Sequence, residues 1–427
     1  MPESDFFENA ARRMAASGLR QNNERAVLNA LALHSGASGA HLARVTGLGA
    51  QTISRILVAL EKENLITRGQ PLRGQRGQPA IPISINASGA YSIGCEIGWR
   101  HLSVVLCNLG GQRLGEYRRD YPYPDPTSIV AEVASLVRLM INVVPEPERE
   151  RVGSLGVAMP SSFARNLPLL GADAAVANDW ANLDIEAELE ASTGLPVHVM
   201  NDGNAACWAE LVLRPRPRPN EFAYIFVGTF IGGGIVSEGR LWEGATGSSG
   251  NLGAILVSDG IGGLKVGHLV ASLFALEHRV TSSGKLIPKR DPQSWVWHEL
   301  GHAAERWLEL TANALAQIIA NTAAVSGTNL AVIDGALPDG ILPKLVDMTQ
   351  SALVALGDEA GDPPDLAQGH VGSFAAAVGA AFRPLYRQYF AREVEHLEGE
   401  AGSEISLSLE APSGTEISAS GATGRLA

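Results

Sequence analysis

The spacing of apolar positions changes several times before residue 90, and each change predicts an element. From Asn22 to His34, Val27, Leu28 and Leu31 form one short stripe, the mark of a helix. Ser38 is placed to cap a second helix that carries Leu42 and Val45 and stops at Gly47. A third helix is predicted over Ala50–Asn64, where Ile53, Ile56, Leu57 and Leu60 fall at i, i+3, i+4 and i+7 and leave the other face polar. Leu65–Arg68 and Ile81–Ile85 then read as two strands about a loop dominated by Gly, Pro and Arg. Beyond Ser88-Gly89 the pattern becomes that of an α/β protein. Paired strands are expected at Tyr91–Glu96 and Leu102–Cys107. Helices follow at Thr127–Val143 and Ile185–Thr193, with strands at Val152–Val157 and Val197–Met200. A second α/β region starts near Phe222, with a buried helix over Glu309–Ala324 and a strand at Ala331–Ile333.

Three helices followed by strand, loop and strand predict a winged helix-turn-helix over residues 20–86, preceded by a flexible arm at 1–19. Its third helix turns Gln51, Thr52, Ser54 and Arg55 outward near the helix start. These are the side-chain types that read a major groove: Gln pairs with adenine, Arg with guanine, and hydroxyls take phosphates or base edges. Arg73 and Arg76 stand among glycines in the wing, suited to a minor groove or to the backbone. Charge agrees. Residues 1–80 hold 10 Lys and Arg against 6 Asp and Glu, whereas the rest holds 23 against 39, so a basic head sits on an acidic body. A double-stranded DNA partner is expected.

Composition narrows the remainder. At 427 residues and 45% hydrophobic content the chain can bury more than one core. Three cysteines, Cys95, Cys107 and Cys207, give neither a disulfide framework nor metal-ligand spacing. With no apolar leader and no run of about 18 apolar residues, a cytoplasmic protein without a membrane partner is expected. The last residues, 399–427, are rich in Gly, Ser, Ala and Glu and are expected to be disordered.

Three glycine-bearing segments carry the candidate chemistry of the body. Gly94-Cys-Glu-Ile-Gly98 lies between strands; Asn201-Asp-Gly-Asn-Ala-Ala206 ends a strand and opens a helix; Gly228-Thr-Phe-Ile-Gly-Gly-Gly234 lies between two strand-like stretches, with Gly232–Gly234 read as a tight turn. Gly-rich hairpins let backbone N–H groups approach phosphates. Asp202 is placed as a general base would be, and Asn201 and Asp202 also suit a helix cap.

In these segments, the head, and Gly239-Arg-Leu-Trp-Glu-Gly-Ala-Thr-Gly247, the sequence resembles the ROK family of repressors, open reading frames and sugar kinases, from about Asn22 to Arg387. The resemblance implies an actin/hexokinase-like (ribonuclease H-like) body of two lobes at 88–398. It also implies a small carbohydrate effector held by Asn201, Asp202 and Asn251, and a homodimer or homotetramer. The kinases of the family use the Asp matching Asp202 as base. Their Asp-x-Gly-Gly-Thr-Lys loop is here Glu96-Ile-Gly-Trp-Arg-His101, so Trp99 stands where a glycine is usual, as does Phe230 in the third segment. The family's Glu-x-Gly-His is Asn251-Leu-Gly-Ala254, its Cys-rich zinc loop is Ser258-Asp-Gly-Ile-Gly-Gly-Leu264, and Asp334 interrupts a Gly-Gly pair near the nucleotide. The expectation is therefore a regulator, most simply a repressor, whose lobes close on a sugar. No catalytic residue, metal or other cofactor is assigned. An ATP-dependent sugar kinase with an attached head is the alternative.

Overall fold

The computed structural model describes residues 18–71, 81–161, 163–215, 217–245, 247, 249–287, 291–357 and 362–390. The expected arm, except its last two residues, the wing arginines Arg73 and Arg76, and the expected disordered tail lie outside them.

The head contains α1 (Gly18–Leu33), α2 (Gly39–Thr46) and α3 (Ala50–Lys62). Val27, Leu28, Leu31, Leu42, Ile53, Leu57 and Leu60 meet in its core. Ser38 Oγ accepts the His41 N–H at 3.2 Å, and α2 ends at Gly47 with φ 70°, a conformation that costs glycine nothing. The start of α3 at Gly49 has no side-chain cap. β1 (Ile66–Arg68) pairs antiparallel with β2 (Ile83–Ile85).

The first lobe is built on β3 (Tyr91–Ile97), β4 (His101–Asn108), β5 (Arg113–Asp120), β6 (Val152–Met159) and β7 (Val197–Asn201), ordered β5-β4-β3-β6-β7. Pairs among β3, β4 and β5 are antiparallel; β6 and β7 add in parallel. Helix α4 (Pro126–Val143) crosses one face, and α5 (Ala174–Asn182) and α6 (Ile185–Thr193) follow β6. After β7 comes α7 (Asp202–Leu213).

The second lobe repeats the arrangement. Its large sheet runs β10-β9-β8-β13-β14 from β8 (Phe222–Val227), β9 (Ile231–Ser237), β10 (Arg240–Leu241), β13 (Leu330–Gly335) and β14 (Asp365–Gln368). Again three antiparallel strands are followed by two parallel ones. A small hairpin, β11 (Leu256–Ser258) with β12 (Leu264–Val266), and helices α8 (Leu273–Ser282), α9 (His302–Ser326) and α10 (Ile341–Ala355) complete it.

Between the lobes lie α7 and the last helix among the described residues, α11 (Ala375–Tyr389). Their approach depends on glycine. A methyl group on Gly379 would stand 1.8 Å from Ala205 O, and one on Gly94 1.9 Å from Ala377 O. Because α4 covers one face of the first sheet and α11 the other, β3 is buried at every position.

One expectation needs correction. Gly232–Gly234 are not a turn but part of β9; a methyl group on Gly203 would lie 2.4 Å from Gly233 N, so small residues are required where α7 crosses the strand. Helix α4 has the length and mean hydropathy of a membrane span, though Glu132 and Arg138 interrupt its apolar positions. Its Ile129, Val133, Val137 and Met140 pack into the core of the first lobe, which accounts for that apolarity within the protein.

Candidate ligand cleft and DNA-reading helix

The three glycine-bearing segments converge at the cleft. Glu96, Gly98, Trp99 and His101 from the β3–β4 turn, Asp202 and Gly203 from the start of α7, Thr229 and Phe230 from the β8–β9 turn, and Ala376 of α11 line one hollow. Its volume is about 40 Å³, little more than one water's share of liquid volume, roughly 30 Å³. Aromatic rings fill the rest. Trp99 meets Phe230 edge-on at 4.9 Å and Phe163 at 5.0 Å; Phe163 meets Trp180 at 4.9 Å, and Phe230 meets Phe274 at 5.3 Å. Trp99, Phe163 and Trp180 belong to the first lobe and Phe230 and Phe274 to the second, so the rings close the cleft from both sides. Across the same gap Arg100 pairs with Glu277 at 2.9 Å, and Arg118 approaches Asp291 at 3.7 Å.

Around this plug the polar groups are firmly held. Asn201 caps α7: its Oδ1 accepts the Asn204 N–H at 3.0 Å, and its Nδ2 donates to Ser161 Oγ and Asp202 Oδ1, each at 3.1 Å. Asp202 Oδ1 also accepts the Gly203 N–H at 2.8 Å. Burial, and then the nearby Glu96 carboxylate, push the Asp202 carboxyl up to about 6. Glu96 in turn lies 3.1 Å from His101 Nε2. On the second-lobe side Asn251 Oδ1 and His268 Nε2 are 3.2 Å apart. Burial lowers the His268 imidazole to about 4, so a neutral ring faces Phe230 at 5.9 Å. The ring also lies flat against Gly253, where a methyl group would stand 2.3 Å from its Cε1.

Two carboxylates occupy places that the resemblance gives to nucleotide or metal. Asp334 Oδ2 accepts the Tyr224 hydroxyl at 3.0 Å and the Gly372 N–H at 3.1 Å, and its Oδ1 accepts the Gly335 N–H at 2.8 Å. Asp259 Oδ1 accepts the Ile261 and Gly263 N–H groups at 3.0 and 2.8 Å, and these bonds lower its carboxyl. That turn sets the β11–β12 hairpin, and β12 leads directly into Gly267-His268. A wider hollow of about 280 Å³ opens near Gly327 and Pro363 in the second lobe. It is lined by Ala, Leu and Pro together with Thr328, Asn329 and Asp362, and lies apart from the three glycine-bearing segments.

In the head, Gln51, Ser54 and Arg55 are exposed and Thr52 half-buried, while Ile53, Ile56, Leu57 and Leu60 are buried. Val58, 59% exposed, lies on the outer face with them, one turn beyond Ser54 and Arg55. Sequence reasoning passed over it because a lone apolar residue looks like core. The structure brings Asn201 and Asp202 together and sets Asn251 beside His268. It also supplies Phe163, Trp180, Phe274, Arg100 and Glu277, whose convergence no local sequence signal announces.

Comparison with known proteins gives this arrangement a family. The model described as ROK family matches residues 92–384, and the one described as MarR family matches residues 17–77. A xylose repressor of Bacillus spizizenii is 23% identical over 239 residues, 56% of this chain and 61% of its own; the match therefore spans about three fifths of that relative. The crystal structure of a ROK family transcriptional regulator, a homolog of the E. coli MLC protein, superposes with a TM-score of 0.65 at 20% identity, covering 87% of this chain and 98% of its own. A ROK family glucokinase from Streptomyces griseus, solved with glucose and AMPPNP, gives 0.54 at 21% identity over 69% of this chain and 98% of its own. At such identities the likeness is one of fold, and it is the two-lobed fold described above.

Proposed function

This chain belongs to the ROK family, and from that premise we propose that it is a sugar-responsive transcriptional regulator, most simply a repressor, and not a kinase. The observation that carries the reading is the pairing of an exposed polar face on α3 with a cleft whose phosphate side is filled by Trp99 and Phe230. Phosphoryl transfer is mostly positioning and charge stabilisation of a nucleotide, and the rings stand in that nucleotide's way. Asp202 alone gives a base for a sugar hydroxyl, with no phosphoryl group held for that hydroxyl to attack.

In this reading Gln51, Thr52, Ser54 and Arg55 contact base edges and phosphates in a major groove, while Arg73 and Arg76 grip a minor groove or the backbone. Asn201, Asp202 and Asn251, with His268, hold a neutral monosaccharide; the xylose repressors among the relatives make a pentose the first candidate. A cavity of about 40 Å³ admits no monosaccharide until the rings part. The effector therefore favours an opened cleft, and its differential affinity for that state shifts the heads. In this reading the sugar-bound cleft is wider than the one described above, opposite in sense to lobes that close on a sugar. Two copies of the chain present two heads to a two-fold operator.

Selection of duplexes from a random pool, together with an ADP-release assay over aldopentoses, aldohexoses and N-acetylhexosamines, tests the proposal. Enrichment of a defined motif without sugar-dependent ADP release is the expected outcome. Sugar-dependent ADP release would establish the kinase reading, and an unenriched pool would remove the DNA reading.

A further inference from the structure

We propose that Arg25 is a positioning residue: its guanidinium clamps the C-terminal end of α11 to the head, so that a movement of α11 in the cleft re-aims α3. The proposal rests on the head being DNA-reading, and concerns how the cleft speaks to it.

The chain runs from head to cleft along two elements that lie against each other. One is covalent. Asn86 N donates to Leu65 O at 2.9 Å and Asn86 Nδ2 to Asn64 O at 2.7 Å, just past the end of α3; β3 then runs to Glu96 in the hollow. The other is α11. Its first turn carries Ala376, which lines the same hollow. Its body packs at glycine-limited distance on both sheet and helix, with Gly156 facing Ala380 O and Gly379 facing Ala205 O. The loop that leads into it is tied down by Asp334 at Gly372 N and by the buried Glu210 at His370 N, 3.1 and 2.9 Å away. Pro384 removes one hydrogen bond inside α11, but packing this close holds the helix to the core on both sides of it, so displacement at its start is carried along it.

At its far end α11 meets the head. The last carbonyls of a helix have no intrahelical partner, and a guanidinium there also complements the helix dipole. Arg25 Nη2 donates to Arg387 O at 2.9 Å, and its Nε to Gln388 O at 3.3 Å. Tyr389 and Phe390 pack into the apolar cluster that includes Val27, Leu28 and Leu60, and Tyr389 lies within electrostatic reach of Glu63 at the end of α3. A domain held only by its covalent linker can swivel; a second attachment fixes its direction. Arg25 is placed to make that second attachment directional, because two donors on one planar group fix an angle as well as a distance.

The test needs no effector. The chain's three cysteines, Cys95, Cys107 and Cys207, are buried, so spin labels at Lys62→Cys on the head and Glu186→Cys on the first lobe report one interdomain distance. Arg25→Met keeps the aliphatic stem that packs on the surface and removes the donors. With Arg25 intact the distance distribution is expected to be narrow; in Arg25→Met it broadens at least twofold, and Arg25→Lys recovers part of the narrowing. Circular dichroism confirms that the head helices persist. Phe230→Ala, which empties one side of the plug, is expected to shift the mean distance when Arg25 is present and to leave it unshifted in the Arg25→Met background. An unchanged width in Arg25→Met, a Phe230→Ala shift that persists without Arg25, or no Phe230→Ala shift at all overturns the proposal. Failure of the DNA reading would show separately, as an unenriched duplex pool.

Discussion

Asp202 is the residue whose environment says most about the cleft. Its carboxyl, raised to about 6 by burial and by Glu96, binds a proton more readily in the folded chain than in the unfolded one. Folded stability is therefore full below the unfolded value near 3.9 and declines as pH rises toward 6. Asp202→Asn is expected to remove that decline and to stabilise the apo protein at pH 7 by about 1–2 kcal/mol, the partial exposure of the site limiting the gain. Urea denaturation at pH 5 and pH 7 checks this; equal effects of the substitution at both pH values would contradict it. His268 acts with the opposite sign. Held to about 4, it loses stability as pH falls from its unfolded value near 6.5, a loss that His268→Gln should abolish. Of the two polar groups, Asp202 was legible in the sequence from its strand-end position. The rings around them were not. Trp99 and Phe230 stood out as bulky residues where glycine is usual, but Phe163, Trp180 and Phe274 reach them only through the fold.

At the level of elements, helices were legible wherever one face is buried and the other wet. The apolar spacing of α3 gave its face and its start, and the buried set Ile53, Ile56, Leu57 and Leu60 is the one the spacing picks out. Strand β5 was not legible, since Arg113–Asp120 is an edge strand without a fully buried position and carries polar residues as edges do. The glycines of β9 were misread because a Gly run signals a turn locally, whereas here it makes room for Gly203 of a crossing helix. Two outcomes belong to this scale. Arg55→Ala should cost about 1–3 kcal/mol on a selected duplex if Arg55 pairs with guanine, with much less change on random DNA; equal losses on both would assign Arg55 to phosphate. Gly379→Val places a side chain where even a methyl group would lie 1.8 Å from Ala205 O. The substitution should destabilise the body by about 1–3 kcal/mol or more in equilibrium unfolding, and a loss below about 1 kcal/mol would mean that α7 and α11 can separate without penalty.

On the scale of the whole molecule, the same five-stranded order appears twice, and the cleft lies between the copies with α7 and α11 at its floor. Closure rests on aromatic contact and on Arg100–Glu277 and Arg118–Asp291. A charge pair a quarter exposed to solvent weakens as salt rises, so tryptophan fluorescence should report a more open cleft in Glu277→Gln than in the parent chain at low ionic strength, with the difference shrinking as salt rises. The division into a basic head and an acidic body, read from charge counts alone, fits the proposal of DNA at one end and a small neutral ligand at the other. In the proposed function, sequence-specific DNA binding is governed from this cleft. Fluorescence anisotropy of a selected, labelled duplex, titrated with the full chain at physiological salt and then with D-xylose and a panel of other monosaccharides, tests it most directly. The account predicts an affinity at least about 10³-fold above that for random duplex, shifted at least about fivefold by one of the sugars. Equal affinity for selected and random duplexes, or binding indifferent to every sugar, would contradict it.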